Sequence, residues 1–308
     1  MVYSRVEYAA SLCCATGEHF IPGDPTLQAH SALRTLLIPM DDLRFKTDSY
    51  ATPPRAVPLL ARLAPSLYFY THVVKIVFQA SSLAKKGRYG TPEWCTSSIS
   101  TLRALEAVGI RVEISGIDKF RAVEGPCVFI GNHMSTLETF VLPVIIAPIK
   151  DATFVVKQSL VDYPIFKHVM RSRNPITVGR MNPREDLKAV LDGGVERLKA
   201  GRSIIIFPQT TRTPVFDPEQ FNSIGIKLAK KAGVPAIPIA LKTDAWSNGK
   251  HLKDFGPIDP DKTVYFEFGD PLVVKDRGSE EHQKIVDFIT EKLKSWGGQT
   301  AEQDDKKH

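Results

Sequence analysis

His133 and Glu138 stand five residues apart in the stretch FIGNHMSTLETF, residues 129–140. A carboxylate beside an imidazole makes a general base: it fixes the tautomer through one ring nitrogen and leaves the other to take a proton from a hydroxyl. On one regular helix a separation of five puts two side chains about 140° apart, too far round to meet. The pairing therefore requires His133 in a turn and Glu138 in the first turn of the helix that follows. A plainer reading competes with it. Ser135-Thr136-Leu137-Glu138 is a capping box, in which Glu138 bonds the Ser135 backbone instead of the His133 ring. Both readings stay open on the local sequence. Ser135 lacks the setting of a nucleophile elbow. His72, His168, His251 and His282 have no acid at a comparable placement and are given no role.

The pair must be positioned by regular elements. CVFIG (127–131), SIIIF (203–207), AIPIAL (236–241) and VYFEF (264–268) are short continuous apolar runs, the pattern of strands buried on both faces. Between them lie helical signals. Asn182-Pro183-x-Glu185 reads as an N-cap, a first-turn proline and a capping-box acid, followed by Leu187, Val190, Leu191 and Leu198 near helical spacing. Gly193-Gly194 weakens the middle of that helix and Gly201 ends it. A second helix is expected over about 221–232, closed by Gly233, and a C-terminal one is marked by Ile285, Phe288, Ile289, Leu293 and Trp296. This alternation predicts an α/β fold: a mixed, partly parallel central sheet flanked by helices, with an N-terminal helical element. In such a sheet ligands bind beyond the carboxyl ends of the strands. Two polar clusters fall there, GNHMSTLE after the first run and PQTTRT after the second.

The chain divides into an irregular, proline-rich arm (1–60), a helical segment (61–108) with a break near Gly87 to Pro92, the α/β domain (109–298) and a polar, frayed tail (299–308). Within the helical segment, LYFYTHVVKIVFQASSLAKKGR (67–88) combines aromatic and aliphatic residues with a basic end at Lys85, Lys86 and Arg88. It suits a membrane interface, with packing on the domain as the alternative. Trp246, in the polar loop 242–256, is a candidate for the same interface, and a plain surface loop is the alternative. No run of about 20 uninterrupted apolar residues occurs, so no transmembrane span is expected. Nor is a cleavable signal peptide visible, since Arg5, Glu7 and Glu18 interrupt the beginning of the chain.

Composition narrows the partners. The 308 residues are 43% hydrophobic and 24% charged with a net charge of +6, ordinary globular values with a basic excess that suits anionic substrates or lipid surfaces. Nucleic acid is disfavoured, because no RNP, zinc-finger or basic-helix signature is present. Cys13, Cys14, Cys95 and Cys127 match neither a zinc site nor a disulfide framework, which favours a reducing compartment, and Cys127 reads as a small core residue.

NHMSTLE resembles the Asn-His-x4-Asp box of the glycerolipid acyltransferase family, which includes 1-acylglycerol-3-phosphate acyltransferases. Further blocks follow in the family's order. FVVKQSLVDYPIFKHVMRSRNPITVGR (154–180) is similar to the second, with Lys157, Leu160, Pro164, Gly179 and Arg180 at matching places. FPQTTRT (207–213) resembles the third, usually Phe-Pro-Glu-Gly-Thr-Arg-Ser, and GVPAIPIAL (233–241) the fourth. The likeness spans about residues 110–275. The chain departs from the pattern at Glu138, where Asp is usual, and at Gln209 and Thr210, where Glu and Gly are usual. The last two changes bear on the identity of the acceptor.

The resemblance implies an O-acyltransferase that moves a fatty acyl group from acyl-CoA or acyl-carrier protein to a lysophospholipid hydroxyl, 1-acylglycerol-3-phosphate foremost. His133 would act as the base oriented by Glu138, with Asn132 supporting the box. Arg212, Thr211 and Arg180 would hold the acceptor phosphate, and Lys157 would touch the donor. No metal, cofactor or covalent acyl-enzyme is implied. The expected place is the cytoplasmic side of a membrane, peripheral or monotopic. A lipid-binding protein without turnover and an acyl thioesterase are the competing functions. Pro238 is expected at a turn or strand edge. The apolar run TFVLPVIIAP (139–148) would line an acyl channel or pack in the core.

Overall fold

Where the strand runs alternate between two buried faces, helices must cover both, and that requirement shapes the domain. The computed structural model describes residues 45–209, 211–250 and 252–301. In chain order, β1 (Tyr50–Ala51) is followed by three helices, α1 (Leu59–Leu63), α2 (Pro65–Lys85) and α3 (Thr91–Ala107). Next come β2 (Val112–Ser115), α4 (Ile117–Arg121), β3 (Val128–Gly131), α5 (Leu137–Ile146), β4 (Ala152–Lys157), α6 (Gln158–Asp162), α7 (Lys167–Ser172), β5 (Ile176–Val178) and α8 (Pro183–Lys199). The last third holds β6 (Ser203–Ile206), β7 (Val215–Phe216), α9 (Ile224–Ala232), β8 (Ala236–Lys242), β9 (Val264–Phe268), α10 (Ser279–Ser295) and β10 (Gln299–Thr300).

Among the described residues, eight strands form one sheet in the order β1-β2-β9-β8-β3-β6-β4-β5. From β8 through β3, β6 and β4 to β5, every neighbouring pair is parallel. The β1–β2 and β8–β9 pairs are antiparallel, which makes the sheet mixed. Side chains alternate as the pleat demands. Phe129 and Ile205 join the core formed with α3 and α5, whereas Val128, Ile130, Ile204 and Ile206 join the opposite core with α8, α9 and α10. That double burial is why β3 and β6 read as unbroken apolar runs.

Several expectations change. The arm was expected to be irregular to residue 60; residues 1–44 lie outside the described residues, but Tyr50–Ala51 extends the sheet edge and α1 begins at Leu59. Buried Glu106 anchors this stretch, meeting Tyr50 Oη at 2.5 Å, Thr52 Oγ1 at 2.9 Å and Arg55 Nη2 at 3.0 Å. In the tail, Gln299–Thr300 is a parallel strand against Val215–Phe216 and is not frayed; residues 302–308 lie outside the described residues.

Pro238 sits inside a central strand, not at a turn or edge. The β8–β9 register places Ile239 opposite Phe268, while Ala236 bridges Leu272, so the intervening stretch on the β9 side carries one extra residue. Pro238 lies at this bulge, where its missing N–H breaks no ladder bond. Trp246 is buried against Phe69, Tyr70 and Phe140, so it is neither an exposed interfacial aromatic nor part of a plain surface loop. Val141, Leu142, Val144, Ile145 and Ile146 are all in the core, so the run after the histidine box packs the domain.

The helices follow their local signals with adjustments. Asn182 caps α8 by accepting the Arg184 N–H at 3.1 Å, but Glu185 meets the Asn182 side-chain amide at 2.9 Å rather than its backbone. α8 continues through Gly193-Gly194. A Cβ on Gly194 would lie 2.5 Å from a Leu228 methyl, so the glycine lets α8 and α9 approach closely. α9 starts at Ile224, three residues later than expected, after a 3-10 turn at Pro218–Gln220, and ends at left-handed Gly233. Among the described residues, no helix is long and apolar enough to cross a membrane.

Candidate active site

Parallel pairing of β3 with both β6 and β8 brings three carboxyl ends to one edge of the sheet. Residues 132–138, the 207–213 loop and Thr243 leave the sheet there. At the end of β3, Asn132 mimics a further rung: its Nδ2 donates to the Leu241 carbonyl at 2.7 Å and its Oδ1 accepts the Leu241 N–H at 2.9 Å. The chain is thereby clamped to β8 just before His133.

His133 is held on every side. Its backbone N–H donates to Gln209 Oε1 at 2.5 Å, and its carbonyl accepts the Thr213 N–H at 3.1 Å. The ring stacks on Phe207, centroids 4.6 Å apart and planes within 8°. Nδ1 lies 2.8 Å from Glu138 Oε1. The His133 side chain keeps 17% exposure while Glu138 has none, so the pair bridges core and surface. With Glu138 ionised, Nδ1 carries the proton and Nε2 the lone pair. Nε2 has no hydrogen-bond partner among the described residues.

The two sequence readings of Glu138 turn out to be compatible. Oε1 accepts from His133 Nδ1 and from the Met134 N–H at 2.7 Å and the Ser135 N–H at 3.0 Å. Oε2 accepts from Thr243 Oγ1 at 2.6 Å and lies 3.1 Å from both Ser135 N and Oγ. One carboxylate thus caps the turn and orients the ring. Burial works to raise its pKa, but the His133 hydrogen bond and charge, with Thr243 and backbone donors, outweigh it and hold the carboxyl below its usual range. Ser135 Oγ donates to the Thr243 carbonyl at 2.9 Å and is buried, a structural hydroxyl.

A groove of about 480 Å³ opens beside the pair. Phe207, the stacking partner of His133, and Gln209 line it together with an apolar floor that includes Val155, Val178, Val190 and Ile206. Arg180 and Lys227 stand among its polar lining. Arg180 has a left-handed backbone, φ 60°, rare for a residue with a side chain. Asp186 holds that turn, accepting the Gly179 N–H at 2.8 Å and the Arg180 N–H at 2.9 Å.

The remaining sequence candidates scatter. Arg212 is on the same edge, where its Nη1 meets Thr136 Oγ1 and Asp254 Oδ1, the latter at 2.7 Å. Thr211 is exposed on that loop, and Thr210 lies outside the described residues. Lys157 ends β4, exposed, and is not among the groove-lining residues. Sequence reasoning passed over Thr243, Phe207, Lys227 and Asp254. Thr243 sits one residue beyond β8, a position where a site residue is expected in such a sheet. Asp254 carries no comparable local signal.

Residues 111–242 match the Acyltransferase family. A 1-acyl-sn-glycerol-3-phosphate acyltransferase of Pseudomonas aeruginosa is 36% identical over 153 residues, covering 50% of this chain and 57% of that protein. A chloroplastic 1-acyl-sn-glycerol-3-phosphate acyltransferase of Brassica napus is 28% identical over 131 residues, covering 42% of this chain and 37% of that protein. The chain therefore spans from about a third to somewhat over half of these relatives' length. The crystal structure of the 1-acyl-sn-glycerophosphate acyltransferase PlsC from Thermotoga maritima shares the fold, with a TM-score of 0.58 at 19% identity over 79% of this chain and 99% of that one.

Proposed function

We propose that this chain, a member of the glycerolipid acyltransferase family, transfers a fatty acyl group from a thioester to the hydroxyl of a lysophospholipid, 1-acylglycerol-3-phosphate foremost. The observation that carries the reading is the His133–Glu138 pair at the carboxyl edge of the sheet, beside a groove with an apolar floor and cationic side chains. An amphipathic phosphate ester matches that lining in both its parts.

In this reading His133 Nε2 removes the acceptor's hydroxyl proton as the oxygen attacks the thioester carbonyl. The carbonyl re-forms, the carbon–sulfur bond breaks, and the proton leaves with the thiolate as free thiol. Glu138 keeps the ring in the Nδ1–H tautomer and stabilises the imidazolium between the two transfers. Arg180, Arg212 and Thr211 serve the acceptor phosphate, with Arg212 shared with Asp254. Lys157 is assigned to the donor, acyl-CoA or acyl-carrier protein. The test is mass spectrometry of products from the purified protein, both donors and a lysolipid panel. Esterified lipid with equimolar thiol is expected. Free fatty acid instead would make the protein a thioesterase, and binding without turnover a lipid-binding protein.

The reading includes a membrane surface on the cytoplasmic side, met in a peripheral or monotopic way, and among the described residues no helix is long and apolar enough to cross it. On α2, Phe69, Val73 and Ala80 face the core, while Leu67, Val74 and Phe78 are exposed and fall within about 40° of one another around the helix axis. Leu59, Leu60 and Leu63 of α1 are exposed as well, and Lys85 and Lys86 follow at the end of α2. An apolar stripe with a basic end suits an anionic bilayer. Leu67→Glu with Phe78→Glu is expected to abolish co-sedimentation with phosphatidylglycerol vesicles while turnover on a short-chain, detergent-free acceptor persists. Unchanged sedimentation would remove α2 as the docking surface.

A further inference from the structure

Glu138 carries one methylene more than the aspartate usual in this box, and therefore one more torsion to be fixed. The torsion that sets the plane of a glutamate carboxylate is broad and roughly two-fold, so the side chain by itself does not aim either oxygen. Donors must do it. Those on Oε1 all come from the box: His133 Nδ1 and the Met134 and Ser135 N–H groups. Oε2 is held from outside, by Thr243 Oγ1 at 2.6 Å, its shortest contact, 105 residues away in sequence.

The hydroxyl hydrogens follow from the partners. Ser135 Oγ accepts the Leu137 N–H at 3.1 Å and gives its one hydrogen to the Thr243 carbonyl at 2.9 Å. Thr243 Oγ1 also has one hydrogen, and the carboxylate oxygen takes it. Thr243 is itself fixed. It is fully buried one residue beyond β8, its N–H meets Met134 Sδ at 3.3 Å, and Asn132 ties neighbouring Leu241 to the end of β3.

Without that hydroxyl, the donors left to Oε2 belong to Ser135. Its N–H is shared with Oε1, and its Oγ hydrogen is committed to the Thr243 carbonyl. The carboxylate could then turn about its last torsion and withdraw Oε1 from the ring. Burial, opposed by fewer donors, would also favour the neutral acid. A neutral carboxyl both donates and accepts, so it no longer distinguishes the two ring tautomers.

We propose that Thr243 is a positioning residue for the general base: its hydroxyl fixes Glu138 so that His133 stays in the Nδ1–H tautomer with the Nε2 lone pair toward the acceptor. The inference rests on the acyltransferase reading for the reaction, whereas the ring tautomer can be measured without it.

Thr243→Val removes the hydroxyl at similar size, and Thr243→Ser returns it. Imidazole nitrogen NMR on histidine-labelled protein in mildly alkaline buffer, with His133→Ala assigning the signals, reads the tautomer; thermal unfolding and acylation kinetics run in parallel. A hydrogen bond to a charged group is worth about tenfold in an equilibrium constant, so Thr243→Val should lower kcat roughly tenfold with both KM values within about twofold. Its His133 signals should move from the Nδ1–H pattern toward the Nε2–H one, and Thr243→Ser should restore both readouts. A folded valine variant with the parent's tautomer overturns the proposal whatever its kcat, as does a serine variant that restores nothing. If the valine variant does not fold, Thr243→Ala takes its place, and failure of both makes Thr243 a structural residue and overturns the proposal. A tautomer shift in a protein that acylates nothing leaves the positioning role standing and removes the acyltransferase reading. Acylation by the parent with tautomer and kcat unmoved in the variant removes the proposal alone.

Discussion

His133→Ala is expected to lower kcat for acyl transfer by about 10²–10⁴-fold, the usual worth of a positioned general base. Its fold should survive. The ring's packing is a face-on stack against Phe207, and the histidine side chain is partly exposed. Removing it takes one donor from Glu138 Oε1, which retains the Met134 and Ser135 N–H groups. Circular dichroism and the melting temperature should therefore change little while thiol release collapses. In the proposed reading the groove carries acceptor binding, so the loss should fall on kcat and leave the acceptor KM near its starting value. Equal thiol release by a folded variant would remove the imidazole from the mechanism. Loss of folding together with activity would make the ring a structural element instead.

Substitution at Glu138 should strike stability and turnover together. Glu138→Ala strands the buried Met134 and Ser135 N–H groups and the Thr243 hydroxyl. Breaking a buried charged network of this kind costs about 3–5 kcal/mol, a large fraction of a domain's net stability. Glu138→Gln keeps the volume and one acceptor oxygen but presents an N–H₂ group to donors, so it should fall between the parent and the alanine variant. The acid response identifies the cause. The carboxyl is held below its ordinary value of 4.5 by the hydrogen bonds it accepts. A depressed folded pKa contributes stability that is fully present above the unfolded value and is lost as pH falls through the folded one. Urea unfolding from pH 7 downward should thus show the parent protein losing stability in the acid range below pH 4.5, with that component missing from Glu138→Gln. The same acid slope in the variant would assign the response to other carboxylates.

Much of the site was visible in the sequence because its central contact is local. His133 and Glu138 are close in sequence, and helix geometry lets them pair only if the histidine precedes the helix and the acid lies in its first turn, which is where both are found. Double-sided burial likewise marks β3, β6 and β8, since continuous apolar runs follow from helices on both faces, whereas β9, read the same way, buries only its Val264, Phe266 and Phe268 face. β2, β4 and β5 were not singled out. β2 and β5 have polar or half-buried positions along them, and β4 ends in exposed Lys157. Trp246 misled because an aromatic residue in a polar loop looks interfacial. Its burial is decided by Phe69 and Tyr70 of α2, more than 170 residues earlier in the chain.

By itself the chain's residue order determined the α/β class, the candidacy of the histidine–acid pair and the edge of the sheet where both belong, since each depends on spacing within a few residues. Tertiary structure alone decided which partners complete the site. Thr243, Phe207 and Gln209 reach the pair only because β6 and β8 lie on either side of β3, although some 70 to 110 residues separate them from it in sequence. Hydrogen bonds are satisfied by whatever the strand order brings within 3 Å or so, and strand order is set by burying every face at once, a property no local window contains.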